Sequence, residues 1–505
     1  MGAATETTTK PVRGRRRPGV DAGHHNYKWW ALSCTSLGML LATINSGTLI
    51  IALPDLEREL HTSLLQLVWV ILAYMIASTV LVLTAGRLSD LFGRKNAYVA
   101  GFVAFALASL GAGFAADGTQ LIIWRVLQGI GAAFLFANAA ALVTDAFPKR
   151  QLGVAMGTNT MVAAVGLVLG PVLGGVLVSI SWQWVFWFNV PFALIGALWG
   201  WLILHELAKP DEQRGLDLLG TTTFVIGLTG LVFGISKGGI SGWNEPLVIW
   251  SLIAAAVLLP LFVLIEARVR APMLDLTIFK NRLFAAATAA AFINGLSRFA
   301  LMFVFVFYFQ GAEGDDPITA GIKLAPLAIG MLIASPLAGI WADKRGSRTL
   351  AALGMLVTAA GLAAMTTLQV GTPYWETGLW MLIVGIGSGM FNSPNTAAMM
   401  GTVPAKRRGI AAGVRTMLQN TGAVLSIAFV LAIITAAVPK PVLFQIFSGL
   451  ASGLSPAKLD PFISNMHTAL WALAATSLVG AAVSLLRPRE QNATAPAAEA
   501  EAVAS

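Results

Sequence analysis

The chain reads as an all-α polytopic membrane protein: two related six-helix bundles with two further helices inserted between them. Three observations predict this. Of its 505 residues, 56% are apolar and only 11% charged, and mean hydropathy is +0.75. A water-facing domain carries about 25% charged residues, so lipid has to cover most of the outside. Fourteen apolar runs are long enough to cross a bilayer core of about 30 Å, which takes about 20 residues per helix. Finally, one polar loop pattern occurs twice, at the same place within each set of six runs.

Taken in order, residues 1–28 form a polar, basic tail, expected to be disordered. The first apolar run is too long for a signal-peptide core and reads as an uncleaved start-transfer helix. The runs fall at 30–52, 67–87, 97–116, 119–144, 151–180 and 183–205, making a bundle over 29–206. Next come 217–236 and 247–267, the inserted pair within 207–282. The second bundle, 283–487, holds 284–310, 320–342, 350–370, 376–401, 409–437 and 466–486. Residues 488–505 form an Ala-rich tail, also expected to be disordered. Each run must satisfy its backbone polar groups within its own helix.

Lysine and arginine set the orientation. With the N-terminus placed inside, 25 of the 33 basic residues fall in inside loops or tails. Arg58, Lys237, Lys323, Lys440 and Lys458 lie outside, and Arg125, Arg298 and Arg415 lie within helices. This bias predicts a multi-pass protein of the cell membrane with both termini cytoplasmic. The net charge of +9 is then an orientation signal aided by anionic lipid, not a footprint for nucleic acid. Cys34 is the single cysteine; it has no disulfide partner and reads as a small core thiol.

The doubled loop runs Gly86-Arg-Leu-Ser-Asp90-Leu-Phe-Gly93-Arg94-Lys95 after the second run. After the tenth it runs Gly339-Ile-Trp-Ala-Asp343-Lys-Arg-Gly346-Ser-Arg348. Such internal duplication is a mark of secondary transporters. Glycine at each end permits a tight turn, and the aspartate is suited to accept from a neighbouring helix N-terminus. Asp145, at the end of the fourth run, is the expected partner of Arg94. A structural latch and a gating latch both fit this pattern.

These residues resemble those of the major facilitator superfamily, and within it the fourteen-helix drug:proton antiporter group. The likeness covers roughly 29–487. The doubled loop is similar to the superfamily's signature between its second and third helices. Arg125-Val-Leu-Gln128-Gly129-Ile-Gly131 is similar to its buried-arginine motif, and Gly166-Leu-Val-Leu-Gly170-Pro171-Val-Leu-Gly174-Gly175 to the antiporter motif. The resemblance implies alternating access around a central cavity, with Arg125 positioning groups for proton exchange and Gly170-Pro171 forming a bend that matters for gating. Independently of it, Gly166, Gly170 and Gly174 line one face and permit close helix packing, and Pro171 removes a backbone bond.

An ionisable side chain at bilayer depth costs at least about 2.5–3.5 kcal/mol, so it faces a cavity or a partner. Arg125, Arg298 and Arg415 qualify, with no acid deep in the second bundle to pair with the last two; snorkelling is an alternative for Arg415. Asn45, Asn159, Asn294, Asn392, Asn395 and Gln419 join them as candidate cavity residues, with amides that bond neighbouring helices in packing as the alternative. Asn392-Ser393-Pro394-Asn395 is expected to interrupt its helix and free carbonyls for a site. In the drug:proton group an aspartate usually stands a few residues before Ala-Leu-Pro; here Asn45 holds that place, and an amide cannot exchange a proton. Asp145, Asp217 and Glu266, near the inner boundary, are weak replacements.

Three readings compete. The first is proton-coupled efflux of amphiphilic small molecules, drugs or lipid-like metabolites, by a monomer in the lipid bilayer. The second is transport of one anionic or zwitterionic metabolite without antiport, since losing the acid while keeping the arginines leaves the cavity electropositive. The third is a non-transporting sensor or scaffold. No enzyme, cofactor, metal or ATPase is expected: there is no Gly-rich phosphate loop, and His24, His25, His61, His205 and His467 lie in tails, loops or helix ends.

Overall fold

The structure, a computed structural model, describes residues 26–148, 151–207, 217–269, 272–403, 408–436, 438–447 and 456–488. The two expected terminal tails lie almost wholly outside them. The described residues are helical nearly throughout. The first bundle comprises α1 (Tyr27–Ile51), a short α2 (Leu53–Leu60), α3 (Leu64–Phe92), α4 (Arg94–Ala112), α5 (Gly118–Ala146), α6 (Leu152–Ile180), α7 (Trp184–Trp187) and α8 (Asn189–Ile203). The inserted pair is α9 (Leu218–Ser241) and α10 (Pro246–Arg268). The second bundle comprises α11 (Arg282–Val306), α12 (Pro317–Arg345), α13 (Ser347–Ala364), α14 (Tyr374–Gly401), α15 (Arg408–Thr435), a short α16 (Lys440–Phe447) and α17 (Pro456–Leu485). Among the described residues, twelve helical segments are long and apolar enough to cross a membrane. α6 and α14, at 29 and 28 residues, are of similar length.

Local chemistry fixes where these helices begin. Ser63 and Gln66 close a capping box on α3, and Asp117, Asp217, Asn281 and Asp316 cap α5, α9, α11 and α12. Each satisfies an N–H that a helix start leaves without a partner. α4 and α13 begin differently, directly after Gly93 (φ 95°) and Gly346 (φ 84°), a backbone region open to glycine without penalty. The duplicated loop thus makes the same turn in both halves.

Several expected boundaries shift. The sixth run is broken between α7 and α8, and α11 runs into a π-helical turn over Phe307–Ala312. The chain after α1 forms α2 instead of a loop, because Pro54 sits in its first turn, where a missing N–H costs nothing. α14 is not interrupted: it runs straight through Asn392–Asn395 with Pro394 inside it, and the Thr396 hydroxyl donates to the Asn392 carbonyl at 2.7 Å. One proline removes one N–H, and the neighbouring turns keep their bonds.

The inserted hairpin leans on both bundles through α9. Thr84 and Thr221 share a hydroxyl bond of 3.0 Å, and Gly239 lies against the Ala432 backbone of α15. α10 turns most of its surface outward. Trp29, Trp30 and Trp184 are exposed at helix ends as interface anchors, whereas Trp182 is buried. Cys34 is fully buried among the packed side chains of the first bundle.

Candidate functional site

Two ends of the molecule and two polar clusters between them concern function. At the end that carries Arg94, the guanidinium bridges two carboxylates. Nε donates to Asp90 Oδ1 at 3.0 Å, and Nη1 reaches both oxygens of Asp145 at 2.9 and 2.8 Å. This fork ties α3, α4 and α5 together. Asp90 does not accept from a helix N-terminus as expected. Glu206, just past α8, takes that part, with its two oxygens accepting from the Arg94 and Lys95 backbone N–H at 3.0 Å each. An anion there also meets the positive end of the α4 dipole. In the second bundle Asp343 lies on α12, and its side chain falls outside the described residues.

The first polar cluster lies between the C-terminal half of α1 and the N-terminal half of α5. Arg125, 1% exposed, donates Nε to the Val70 carbonyl at 2.9 Å and Nη1 to Asn45 Oδ1 at 3.4 Å, and it also bonds Gln128. Its guanidinium lies 4.3 Å from the centre of the Tyr74 ring, a cation–π contact. Asn45 Oδ1 also accepts from Gln128 Nε2 at 3.1 Å and from Asn189 Nδ2 at 3.4 Å. The amide oxygen therefore takes three donors, as a carboxylate would, while Asn45 Nδ2 has no partner. Asn159 stands apart, bonded to Ser36 at 2.7 Å and Thr35 at 3.4 Å.

The second cluster lies on α11, α14 and α15. Asn392 Oδ1 accepts from Gln419 Nε2 at 3.1 Å and from Arg415 Nη2 at 3.4 Å. Arg415 therefore turns to α14 instead of snorkelling along its own helix. Asn395 donates to the Ala287 carbonyl at 3.1 Å and Asn294 to the Met355 sulfur at 3.4 Å, each leaving its Oδ1 without a partner. Arg298 is 6% exposed and makes no ion pair or hydrogen bond among the described residues. Its guanidinium lies 4.8 Å from the Phe299 ring centre. Phe303, Phe305, Phe307, Tyr308 and Phe309 are buried and packed ring on ring.

The bundles meet through α3 and α15, where a Cβ on Gly413 would lie 2.8 Å from Leu83 Cδ2, and, farther from Arg94, through α6 and α12. A Cβ on Gly170 would lie 2.8 Å from Gly47 Cα, and one on Gly174 2.7 Å from the Thr48 carbonyl, so the glycine row seats α6 flush on α1. The neighbouring face of α6 meets α12: a Cβ on Gly175 would lie 2.5 Å from the Pro317 carbonyl, and one on Gly321 2.4 Å from that of Pro171. Gln310, in the π turn, donates to the Ile51 carbonyl of α1 at 3.1 Å. A π turn shifts side-chain register by a residue, which helps this glutamine face the other bundle.

Beside the inserted pair, Glu266 accepts from the Leu274 N–H at 2.7 Å, and both Glu266 and Asp217 approach Gly220 with one oxygen each unpartnered. Sequence reasoning passed over Gln128, Asn189, Glu206 and Gln310. The first two were legible as polar residues inside apolar runs. Glu206 and Gln310 sit near helix ends, where polarity is ordinary.

Comparison with known proteins agrees with this geometry. The family model of the Major Facilitator Superfamily matches residues 35–427 and 287–504. The chain is 29% identical over 426 residues to the tetracenomycin C resistance and export protein of Streptomyces glaucescens, covering 84% of this chain and 79% of that one. It is 32% identical over 443 residues to the puromycin resistance protein of Streptomyces alboniger, covering 86% and 87%. Among solved structures it resembles an inward-facing, unoccupied bacterial homologue of the human lysosomal transporter Spinster. There the TM-score is 0.65 at 16% identity, over 92% of this chain and 98% of that one. The matched regions, the repeated turn at Gly93 and Gly346 and the paired helical bundles agree: the chain belongs to the Major Facilitator Superfamily, a multi-pass membrane transporter of small molecules and not an enzyme.

Proposed function

We propose that the protein exports amphiphilic small molecules across the cell membrane by alternating access, in fourteen crossings with both termini cytoplasmic. The observation that carries this is the pair of polar clusters buried within apolar helices, around Arg125 and around Arg298 and Arg415, one on each side of a junction between two bundles. Polar groups so placed are tolerated where they serve a cavity or pathway. The bundles touch through Pro171, Gly175, Gly321 and Gln310, so separating those contacts would open the far side. The relatives' names, with resistance and export in them, support outward transport.

The driving force we propose is the proton gradient, on the likeness of α6 to the antiporter pattern. Between their ends, the long helices of both bundles contain no acid. A proton would therefore be carried by a boundary carboxyl such as Asp145, Asp217 or Glu266. The amide at Asn45 favours a second reading, transport that ignores the gradient. Purified protein in liposomes with an imposed pH gradient separates them: antiport predicts accumulation that follows the gradient and collapses with a protonophore. Flux of the same size with and without the gradient would remove antiport, and absence of flux for every amphiphile tried would remove transport.

A further inference from the structure

Among the described residues, Arg298 is a charge without a counter-ion. It lies sixteen residues into α11, about 24 Å along the helix from Arg282 at 1.5 Å per residue. That is too far from either end to reach water by snorkelling. Its residue is 94% withdrawn from solvent. Its Nε has no partner, and neither a carboxylate nor a carbonyl among the described residues meets the guanidinium. One turn earlier on the same face, Asn294 also keeps an unpartnered Oδ1. Arg415, in the same bundle, has only a neutral amide for company and an unpartnered Nε.

A buried charge without a counter-ion is strongly unfavourable and normally either pairs or is lost. Arg125 eases the problem with the Val70 carbonyl and the amides of Asn45 and Gln128, as well as the Tyr74 ring. Arg298 has only the face of Phe299. No residue of α11, α13 or α15 is acidic, α14 carries only Glu376 in its first turn, and α17 carries only Asp460, four residues from its start. The missing partner is therefore not elsewhere in these helices. A guanidinium matches carboxylate and sulfonate oxygens bidentately, and the surrounding helices are apolar.

We propose that Arg298 is the anion-binding point of the transport site, and that the ligand is an organic anion: an aromatic or aliphatic body bearing a carboxylate or sulfonate. This rests on the reading of the protein as a transporter and names its substrate class. The ligand supplies the counter-charge that the protein withholds, so binding completes the pair and emptying the site leaves the arginine alone again.

The test uses full-length protein in detergent and two probes of one shape and opposite charge, naphthalene-2-sulfonate and 2-naphthyltrimethylammonium, with binding followed by calorimetry. The expected result is a Kd at least tenfold lower for the sulfonate. Arg298→Met should close that gap and, by removing an unpaired buried charge, raise Tm; Arg298→Lys should keep part of the preference. Should Arg298→Met fail to fold, the wild type and Arg298→Lys still decide the matter. Equal or tighter binding of the ammonium probe by wild type overturns the proposal. So does a sulfonate preference that survives Arg298→Met, or displacement of the sulfonate by inorganic sulfate as effectively as by unlabelled probe. Selective sulfonate binding without flux in liposomes would count against transport and leave this site standing. Flux of the cation with no sulfonate binding would do the reverse.

Discussion

Asn45 occupies the centre of the first cluster as an acceptor of three hydrogen bonds, with its own N–H2 left idle. Replacing that idle group with an oxygen, Asn45→Asp, changes almost no volume and gives Arg125 a counter-charge. The variant is expected to fold, and its transport should gain or strengthen dependence on an imposed pH gradient. Identical gradient response in variant and parent would sink that expectation. At the other pole, Glu206 holds two backbone N–H groups of α4. Glu206→Ala should lower stability by about 0.5–2 kcal/mol, the usual range for losing a cap, seen as a lower Tm. An unchanged Tm would mean that water replaces the carboxylate without cost. The residues that sequence found readily were those whose polarity is out of place, the arginines and asparagines of apolar helices. Glu206 was missed because a glutamate at a helix end is ordinary until its bonds are seen.

At the scale of elements, the helices themselves were legible, since a bilayer imposes length and apolarity on each one. Their interruptions were not. The break between α7 and α8, the π turn at Phe307–Ala312 and the unbroken course of α14 depend on packing against neighbours, which no local pattern encodes. Glycine spacing carried more. The row on α6 was readable as a packing face, and it lies against α1 with Gly170 and Gly47 nearly backbone to backbone. Gly170→Val should therefore overpack this contact and cost about 1–3 kcal/mol, with flux falling alongside Tm. Gly401→Ala, where an added Cβ would meet nothing within 4 Å, serves as the control and should leave both unchanged. Equal effects of the two substitutions would remove the close-packing account.

For the whole molecule, duplication was visible in the loops because the turn at Gly93 and Gly346 constrains sequence tightly. How the two bundles sit against each other was not, because much of their junction, as at Gly175 and Gly321, is backbone against glycine. Gln310 bonded to Ile51 and α6 seated on α12 close the end opposite Arg94, so the clusters are expected to be reached from the Arg94 end, past the α3–α15 contact at Leu83 and Gly413. Cys34 is fully buried, so a single introduced thiol can report this. Gln419→Cys is expected to react with a membrane-impermeant maleimide in inside-out vesicles and to be spared in right-side-out ones. The opposite pattern would reverse either the orientation or the resting state. The bare contact of α6 with α12 at Gly175 and Gly321 has one more consequence. Where two helices touch through bare main chain there are no interlocking teeth, so one bundle can glide or tilt over the other without lifting side chains from their sockets. The same plainness lets both partners drift in composition elsewhere while the joint keeps its fit.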